Sequence, residues 1–459
     1  MEEWAVAAKQ TCKWFIDAIG NDAWALRRRN VVEYFKKIEE QLYTERELKA
    51  KGGIPANQNP IAVYADWMAW YLYLVESLKE RPGCDDPMQS GRIYPAFASI
   101  GRNIEALKKM KGIDNRLQDM LNEKQNQPDS TLFELLIAAL YHQNGYEVEF
   151  LAERPGMKTP DMRASKDGKS FLVECKRLAK VTDFSEKERQ NWVKRFDALA
   201  QIMRMVGKPA FVEVVFKVPV EEVEIDFLPK LFMDYVRAGG LNYNQVFSTP
   251  KLDFKARHID LEKNNKRLAH TMARANSPQM IELLAGSYDM HGSYTMLAGP
   301  SEVTSYGPDD DLHVLNKFYG GLHEAYIAKW ECIDESSINA KAKDVKKILS
   351  KAVSQMSDTE PGRIHIGYET VNGPLVEFMR HKKVNEAIES FRFDDKNIHS
   401  IYCHAMQPLI KIEEFECAET VISFENEPRL EKKLILERSG FGHSSGTHWH
   451  EDFFDVRSI

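Results

Sequence analysis

The sequence predicts an α/β protein that begins with an all-helical N-terminal region. Apolar residues recur at helical spacing through residues 1–125, as at Ala5, Ala8 and Cys12. After a polar linker the pattern changes to one helix, three β-rich segments, a second helix and a fourth β-rich segment. Helices that alternate with strands are typical of the α/β class, so we expect an α/β core after the helical region.

Composition and charge narrow the possible classes of protein. The 459 residues are 43% hydrophobic and 29% charged, which excludes extensive disorder and a collagen-like chain. The formal net charge is -7, so a nucleic-acid-binding surface would have to be local. The six cysteines are scattered without a CxxC pair, which favours a reducing compartment. No signal-peptide pattern and no apolar run of membrane-spanning length is evident, so we expect a cytoplasmic protein without a membrane partner.

The elements of the expected core follow one another after the linker. Gly145 ends the first helix, and the segment behind it alternates apolar and charged residues as a strand does. We predict helices over 131–144 and 186–205, and strands over 146–152, 160–164, 170–177 and 210–218.

The sequence divides into four parts. These are the helical region 1–125, the core 126–218, an α/β extension or insertion 219–425 and a tail 426–459. Strands and helices alternate again between residues 325 and 406. These later elements form either a separate α/β layer or an extension of the first sheet, and sequence leaves both arrangements open.

The turn between two of the strands sets the register of a hairpin. Asp167-Gly168 is a strong signal for a two-residue turn, because both positions must accept a positive φ. If these two residues form the loop, Asp161 lies opposite Glu174. Side chains alternate along a strand, so Glu174 and Lys176 share one face.

This register brings two carboxylates together. Directly opposed residues of a hairpin have Cβ atoms ~5 Å apart, and carboxylates at that distance repel each other. A divalent cation compensates such repulsion, and oxygen ligands suit Mg²⁺ or Mn²⁺. The alternative is structural: Asp161 as a turn residue, and Glu174 with Lys176 as a solvated cross-strand pair.

Pro160-Asp161, twelve further residues and Glu174-Cys175-Lys176 together resemble the PD-(D/E)xK signature of the restriction-endonuclease-like nuclease superfamily. The order of elements over residues 130–218 is similar to the core of that superfamily. Glu134, on the preceding helix, matches the place of an additional acidic residue in many members. Its spacing from Thr131 also fits a capping box, which is the structural alternative.

The resemblance implies a role for each matching residue. Asp161 and Glu174 would bind Mg²⁺ or Mn²⁺ together with the backbone carbonyl of Cys175. Lys176 would orient or activate the attacking water, and Glu134 would bind a second metal or a metal-bound water. Residues that would contact nucleic acid are Arg177 and, on the following helix, Gln190, Lys194 and Arg195.

The function that the resemblance implies is a metal-dependent nuclease. DNA is the favoured substrate, and a restriction or defence nuclease is the favoured setting. The helical N-terminal region would serve target recognition, homodimer formation or binding of a partner subunit. Residues 176–217 carry ten Lys and Arg against five Asp and Glu, a local excess of positive charge that suits a polyanion, although a solvated helix face has the same composition.

The sequence is also compatible with three alternative functions. The first is a nuclease-like protein that binds nucleic acid without cutting it. The second is a regulatory subunit whose helical region recruits a separate enzyme. The third is a nuclease that acts on RNA.

Overall fold

The structure, a computed structural model, describes twelve stretches of the chain. They are residues 3–50, 64–80, 86–152, 159–178, 182–243, 245–271, 273–274, 276–305, 317–342, 345–391, 396–410 and 415–436. The tail predicted from residue 426 therefore lies partly outside the described residues, from 437 onward.

Helices and strands alternate after a purely helical first region, as expected for a mixed α/β protein. The helices are α1 (Glu3–Ile19), α2 (Asn21–Ala50), α3 (Trp67–Glu80), α4 (Pro87–Arg102), α5 (Ile104–Leu107), α6 (Ile113–Gln118), α7 (Asp129–Gln143), α8 (Asp183–Val206), α9 (Phe227–Arg237), α10 (Gly240–Tyr243), α11 (Leu261–Thr271), α12 (Pro278–Ala285), α13 (Glu335–Lys341), α14 (Lys346–Val353) and α15 (Pro374–Ser390). The strands are β1 (Glu147–Phe150), β2 (Met162–Lys166), β3 (Lys169–Arg177), β4 (Ala210–Phe216), β5 (Phe247–Ser248), β6 (Leu252–His258), β7 (Ala273–Arg274), β8 (Ser293–Ser305), β9 (Lys317–Cys332), β10 (Gly362–Glu369), β11 (Ile398–Ile410) and β12 (Phe415–Glu425).

Two mixed sheets organise these strands. The first sheet has the order β1-β2-β3-β10-β11-β12. The second has the order β5-β6-β4-β9-β7, and β8 pairs along β9. The first sheet contains the hairpin whose register the sequence predicts.

The hairpin of β2 and β3 has the predicted register. Met162 pairs with Val173, and Lys166 pairs with Lys169. The loop residues Asp167 and Gly168 have φ values of 51° and 74°. Positive φ at both loop positions is what a type I′ turn requires, so the local sequence determines the pairing.

The predicted fourth strand of the core belongs to the other sheet, which is a correction. Residues 210–216 form a strand, but β4 pairs with β6 and β9. The neighbour of β3 is β10, which runs parallel to it and places Ile366 beside Lys176. Hydrophobic periodicity identifies a strand but not its partner, because pairing depends on distant residues. Residues 362–425 thus extend the first sheet, whereas the strand predicted at 325–332 is part of β9 in the second sheet, so neither of the two arrangements that the sequence left open holds for all the later elements.

The N-terminal helices and the hairpin share one hydrophobic core. The same cluster of buried side chains contains Trp70 of α3, Phe97 of α4, Leu136 of α7 and Val173 of β3. The opposite face of the sheet packs on α14 and α15 through residues such as Leu349. The hairpin is therefore held between two helical layers, and the helical region is packed onto the core that it precedes.

The second sheet also has helices on both faces. Trp192 of α8 and Phe232 of α9 are buried against one face. Leu268 of α11 and Met280 of α12 are buried against the other. Within the described ranges, no helix combines the length and the apolar character that a membrane-spanning segment needs.

Candidate active site

The residues of the predicted signature meet near the end of β3. Asp161 lies one residue before β2, and its Oδ2 accepts a hydrogen bond of 2.7 Å from the backbone N–H of Cys175. Glu174 and Lys176 lie on β3, on either side of that N–H. The hairpin thus fixes the Asp161 carboxylate directly against the strand that carries the other two residues.

Glu174 is fully buried, with 0% of its side chain exposed, and Lys176 is its ion-pair partner. The ammonium of Lys176 contacts Oε1 of Glu174, whereas no residue in the described part of the chain hydrogen-bonds to Oε2. This burial excludes the solvated cross-strand pair that the sequence left open. A buried carboxylate oxygen without a partner is costly, so it points to a role for a ligand at this position.

Charge and burial change the protonation of this pair. Burial, followed by the negative charge of Asp161, raises the pKa of Glu174 to about 8. Burial opposes the charged form of Lys176, but the charges of Glu174 and Asp161 outweigh it and raise the pKa of the ammonium. Lys176 is therefore a permanent cation and a hydrogen-bond donor at neutral pH.

Glu134 points into the same cluster from α7. That helix begins at Asp129, so Thr131 is not its N-cap and the capping-box interpretation is wrong. Glu134 is 7% exposed, and burial together with the charge of Asp161 raises its pKa to about 8. The helix thus directs a third carboxylate at the hairpin, as the resemblance implies.

Arg116 is the residue of this cluster that the sequence did not indicate. It extends from α6, and its Nε lies 3.2 Å from Oε2 of Glu134. Its Nη2 lies 3.9 Å from Oδ1 of Asp161 and donates to the carbonyls of Asp161 and Leu151 at 3.3 and 3.4 Å. One signal was present: Arg116 shares the buried face of α6 with Ile113 and Leu117, where an arginine needs partners.

The carboxylates of Glu134, Asp161 and Glu174 suit a hard divalent cation, although in this structure they do not have the mutual geometry of metal ligands. Among the described residues, no group of three His, Cys, Asp or Glu side chains converges as metal ligands do. The fit rests on an all-oxygen set from Glu134, Asp161 and Glu174, and on the unpartnered Oε2 of Glu174. Burial raises the pKa of the Cys175 thiol well above its usual range, so that residue would contribute its backbone carbonyl and not its sulfur.

Arg177 does not belong to this site, which is a correction. Side chains alternate along β3, so Arg177 points to the face opposite Lys176. Its Nη2 donates to Oε1 of Glu369 at 2.6 Å, and Arg92 donates to both oxygens of the same carboxylate at 2.7 and 2.8 Å. We define Arg92, Arg177 and Glu369 as the arginine triad. With only 10% of its side chain exposed, Arg177 joins β3 to Glu369 of β10 and does not share the face of Glu174 and Lys176.

The three candidates on α8 lie on a helix that packs against α9 and the second sheet. Arg195 is only 5% exposed and donates to the carbonyls of Asn191, Glu221 and Val223, so its assignment to nucleic acid is wrong. Gln190 is exposed and donates to Glu186 at 2.9 Å. Lys194 is exposed. Helical periodicity placed these residues on one helix but did not show which of them face solvent.

Comparison with known proteins identified no relative of this chain. No protein-family model, curated protein or solved structure matches this chain. The resemblance to PD-(D/E)xK nucleases therefore stays a prediction, which rests on the hairpin residues and Glu134 alone.

Proposed function

We propose that this protein is a metal-dependent nuclease that hydrolyses phosphodiester bonds, with Mg²⁺ or Mn²⁺ as its cofactor. One observation carries the proposal: Asp161, Glu174 and Lys176 lie together on a hairpin of defined register, and Glu134 points at them. A structural ion pair would not require the buried carboxylates of Glu134 and Glu174 near the partly exposed carboxylate of Asp161, since each negative charge raises the cost of ionising the next.

Each residue has a distinct role in this proposal. Asp161, Glu174 and Glu134 would hold the cation, and the Cys175 N–H fixes the orientation of Asp161. When bound, the metal would lower the pKa of a water molecule and neutralise charge on the phosphate. Lys176 would donate a hydrogen bond to a phosphate oxygen or to the attacking water. Because its pKa is raised, Lys176 serves as a cationic donor and not as a general base.

DNA is the substrate that we favour, by analogy with the superfamily. The excess of Lys and Arg over residues 176–217 supports a DNA substrate only weakly, because several of these side chains are buried or paired. Arg177 and Arg195 are buried, Arg189 pairs with Glu186 and Lys187 pairs with Glu221. Of the four nucleic-acid candidates, only Gln190 and Lys194 are exposed. Dimer formation or partner binding through the helical region stays a proposal, and α6 of that region also supplies Arg116 to the site.

A second candidate function is nucleic-acid binding without cleavage. It is favoured by the position of Arg116, which contacts Glu134 and Asp161 in place of a cation. A site that is permanently neutralised in this way would retain its shape without hydrolysing its ligand. The two functions differ in one outcome, which is metal-dependent cleavage.

A cleavage assay separates these functions. Supercoiled plasmid, linear duplex, single-stranded DNA and RNA would each be incubated with the protein in Mg²⁺, Mn²⁺ or EDTA. We expect metal-dependent cleavage of DNA that Lys176→Ala abolishes. The control is Lys169→Ala, which removes an exposed lysine of the same strand, at the turn. Cleavage that persists in EDTA or in Lys176→Ala would contradict the proposal, and retention of DNA without cleavage would favour the second function.

A further inference from the structure

Arg116 contacts the same carboxylates that would hold a metal. Its guanidinium lies between Glu134 and Asp161, at 3.2 Å from the first and 3.9 Å from the second. Arg116 is only 6% exposed, so its charge is desolvated and depends on these partners. It therefore acts as an internal cation at the carboxylate cluster.

A divalent cation and this guanidinium require the same oxygen atoms. Magnesium binds its ligands at about 2.1 Å and demands near-octahedral geometry, whereas a guanidinium holds an oxygen at about 2.8 Å along an N–H bond. Oε2 of Glu134 faces the Nε of Arg116, so it cannot be turned toward a metal without losing that ion pair. Two cations in direct contact with one pair of carboxylates also repel each other.

Arg116 has other acceptors when it leaves the carboxylates. Its Nη2 donates to the backbone carbonyls of Leu151 and Asp161, at the end of β1 and the start of β2. These bonds require only that the guanidinium stay near the strand ends, because carbonyl positions are fixed by the sheet. The exchange of Arg116 for a metal thus breaks ion pairs without leaving the arginine unbonded.

We infer that Arg116 competes with the divalent cation for Glu134 and Asp161, and so weakens metal binding by the free protein. The inference rests on the proposed metal site. In the metal-free protein Arg116 neutralises the cluster and keeps it compact. In the metal-bound protein it keeps its hydrogen bonds to the carbonyls of Leu151 and Asp161 and no longer contacts Glu134.

Calorimetric titration with Mn²⁺ alone tests the competition. Arg116→Gln removes the competing charge and keeps a hydrogen-bonding side chain, so we expect it to bind Mn²⁺ about tenfold more tightly than wild type. Arg116→Lys is the matched control, because it keeps the charge and is expected to remain within about threefold of wild type. Equal or weaker binding by Arg116→Gln would overturn the inference, as would absence of binding in both wild type and Arg116→Gln.

A second measurement uses the wild-type protein and so does not depend on the glutamine variant folding. In protein labelled with ¹⁵N-arginine, the Nε–H signal of Arg116 is assigned by its loss in Arg116→Lys. Saturating Mg²⁺ should shift this signal, because the ion pair that Nε makes with Oε2 of Glu134 is lost. A signal that stays unchanged at saturation would contradict the exchange.

The outcomes separate this inference from the proposed function. Tighter Mn²⁺ binding by Arg116→Gln without cleavage of any nucleic acid would support the competition and contradict the nuclease. Metal-dependent cleavage with unchanged Mn²⁺ affinity in Arg116→Gln would support the nuclease and contradict the competition between Arg116 and the metal.

Discussion

Two clusters of buried charge lie on opposite faces of β3, at consecutive residues. On one face Lys176 pairs with Glu174, whose second carboxylate oxygen has no hydrogen-bond partner in the described residues. On the other face Arg177 and Arg92 both donate to Glu369, and both oxygens of that carboxylate are used. Two carboxylates beside the same strand therefore differ: Glu369, on β10, accepts hydrogen bonds at both of its oxygens, whereas Glu174, on β3, does not.

A structural charge cluster and a candidate site differ in their balance of positive and negative groups. In the arginine triad, positive groups surround one carboxylate, and the cluster joins α4 to β3 and β10. In the candidate site, three carboxylates face one lysine and one arginine, and burial together with the charge of Asp161 raises the pKa of Glu134 and of Glu174 to about 8. A fold tolerates such excess negative charge where a cation compensates it.

The first prediction is that loss of Glu174 lowers the rate of cleavage and loss of Glu369 does not. Glu174→Gln should lower metal-dependent cleavage by about a thousandfold, since loss of a charged metal ligand removes several kcal/mol of transition-state stabilisation. Glu369→Gln should cleave at a rate near wild type when folded, because it lies outside the site. Initial rates of plasmid nicking, corrected for folded protein, measure both. Equal losses in the two variants would remove the distinction between the clusters.

The same pair of variants should change stability in the opposite order. Glu369→Gln leaves Arg92 and Arg177 buried without their carboxylate, and we expect a loss of about 3 kcal/mol in the free energy of unfolding. Glu174→Gln in EDTA replaces a buried carboxyl group, whose charged form burial disfavours, by a neutral amide and should not destabilise the protein. Urea denaturation in EDTA measures both values. A larger loss in Glu174→Gln would show that Glu174 serves structure first.

The third prediction concerns pH in the absence of metal. Burial raises the pKa of Glu134 and Glu174 to about 8, so between the ordinary carboxyl pKa and about 8 the folded state binds more protons than the unfolded state. Their contribution to stability is therefore fully present at low pH and is lost as the pH rises through about 8. Urea denaturation in EDTA at pH 6 and pH 9 should show this loss. It should be smaller in Glu174→Gln and unchanged in Glu369→Gln, and a wild-type stability that rises over this range would contradict it.

The smallest expected effect concerns two neighbours on α8. Arg195 is buried and donates to three backbone carbonyl groups, so Arg195→Met should lower the free energy of unfolding by about 2 kcal/mol. Lys194 is exposed, and Lys194→Met should stay within about 0.5 kcal/mol of wild type. Thermal unfolding of both variants checks this contrast. Equal stability of the two would mean that Arg195 does not hold the segment after β4.

The hairpin is the part of the site that the sequence predicts well. The Asp167-Gly168 turn determines the register, because few residue pairs accept positive φ at both loop positions. From that register follow the neighbouring positions of Asp161 and Glu174 and the shared face of Glu174 and Lys176. All of these depend on residues close together in the chain, where local geometry decides the outcome.

Features that depend on distant contacts were not predictable. The strand at residues 210–216 was expected beside the hairpin but pairs in the second sheet. Arg116 reaches Asp161 across 45 residues of sequence, and Glu369 reaches Arg177 across 192. Burial of Arg177 and Arg195 likewise follows from tertiary packing, which a single sequence does not show. The candidate site is thus predictable where it lies on one hairpin and not where other elements enclose it.

Anomalous diffraction from crystals soaked in Mn²⁺ would show whether Asp161 and Glu174 are ligands of one divalent cation beside Lys176. We predict an anomalous peak at about 2.1 Å from oxygen atoms of both carboxylates, with Arg116 moved away from Glu134. Crystals of Glu174→Gln should lack the peak. Mn²⁺ bound elsewhere, or absent from the wild-type site at saturating concentration, would contradict the account.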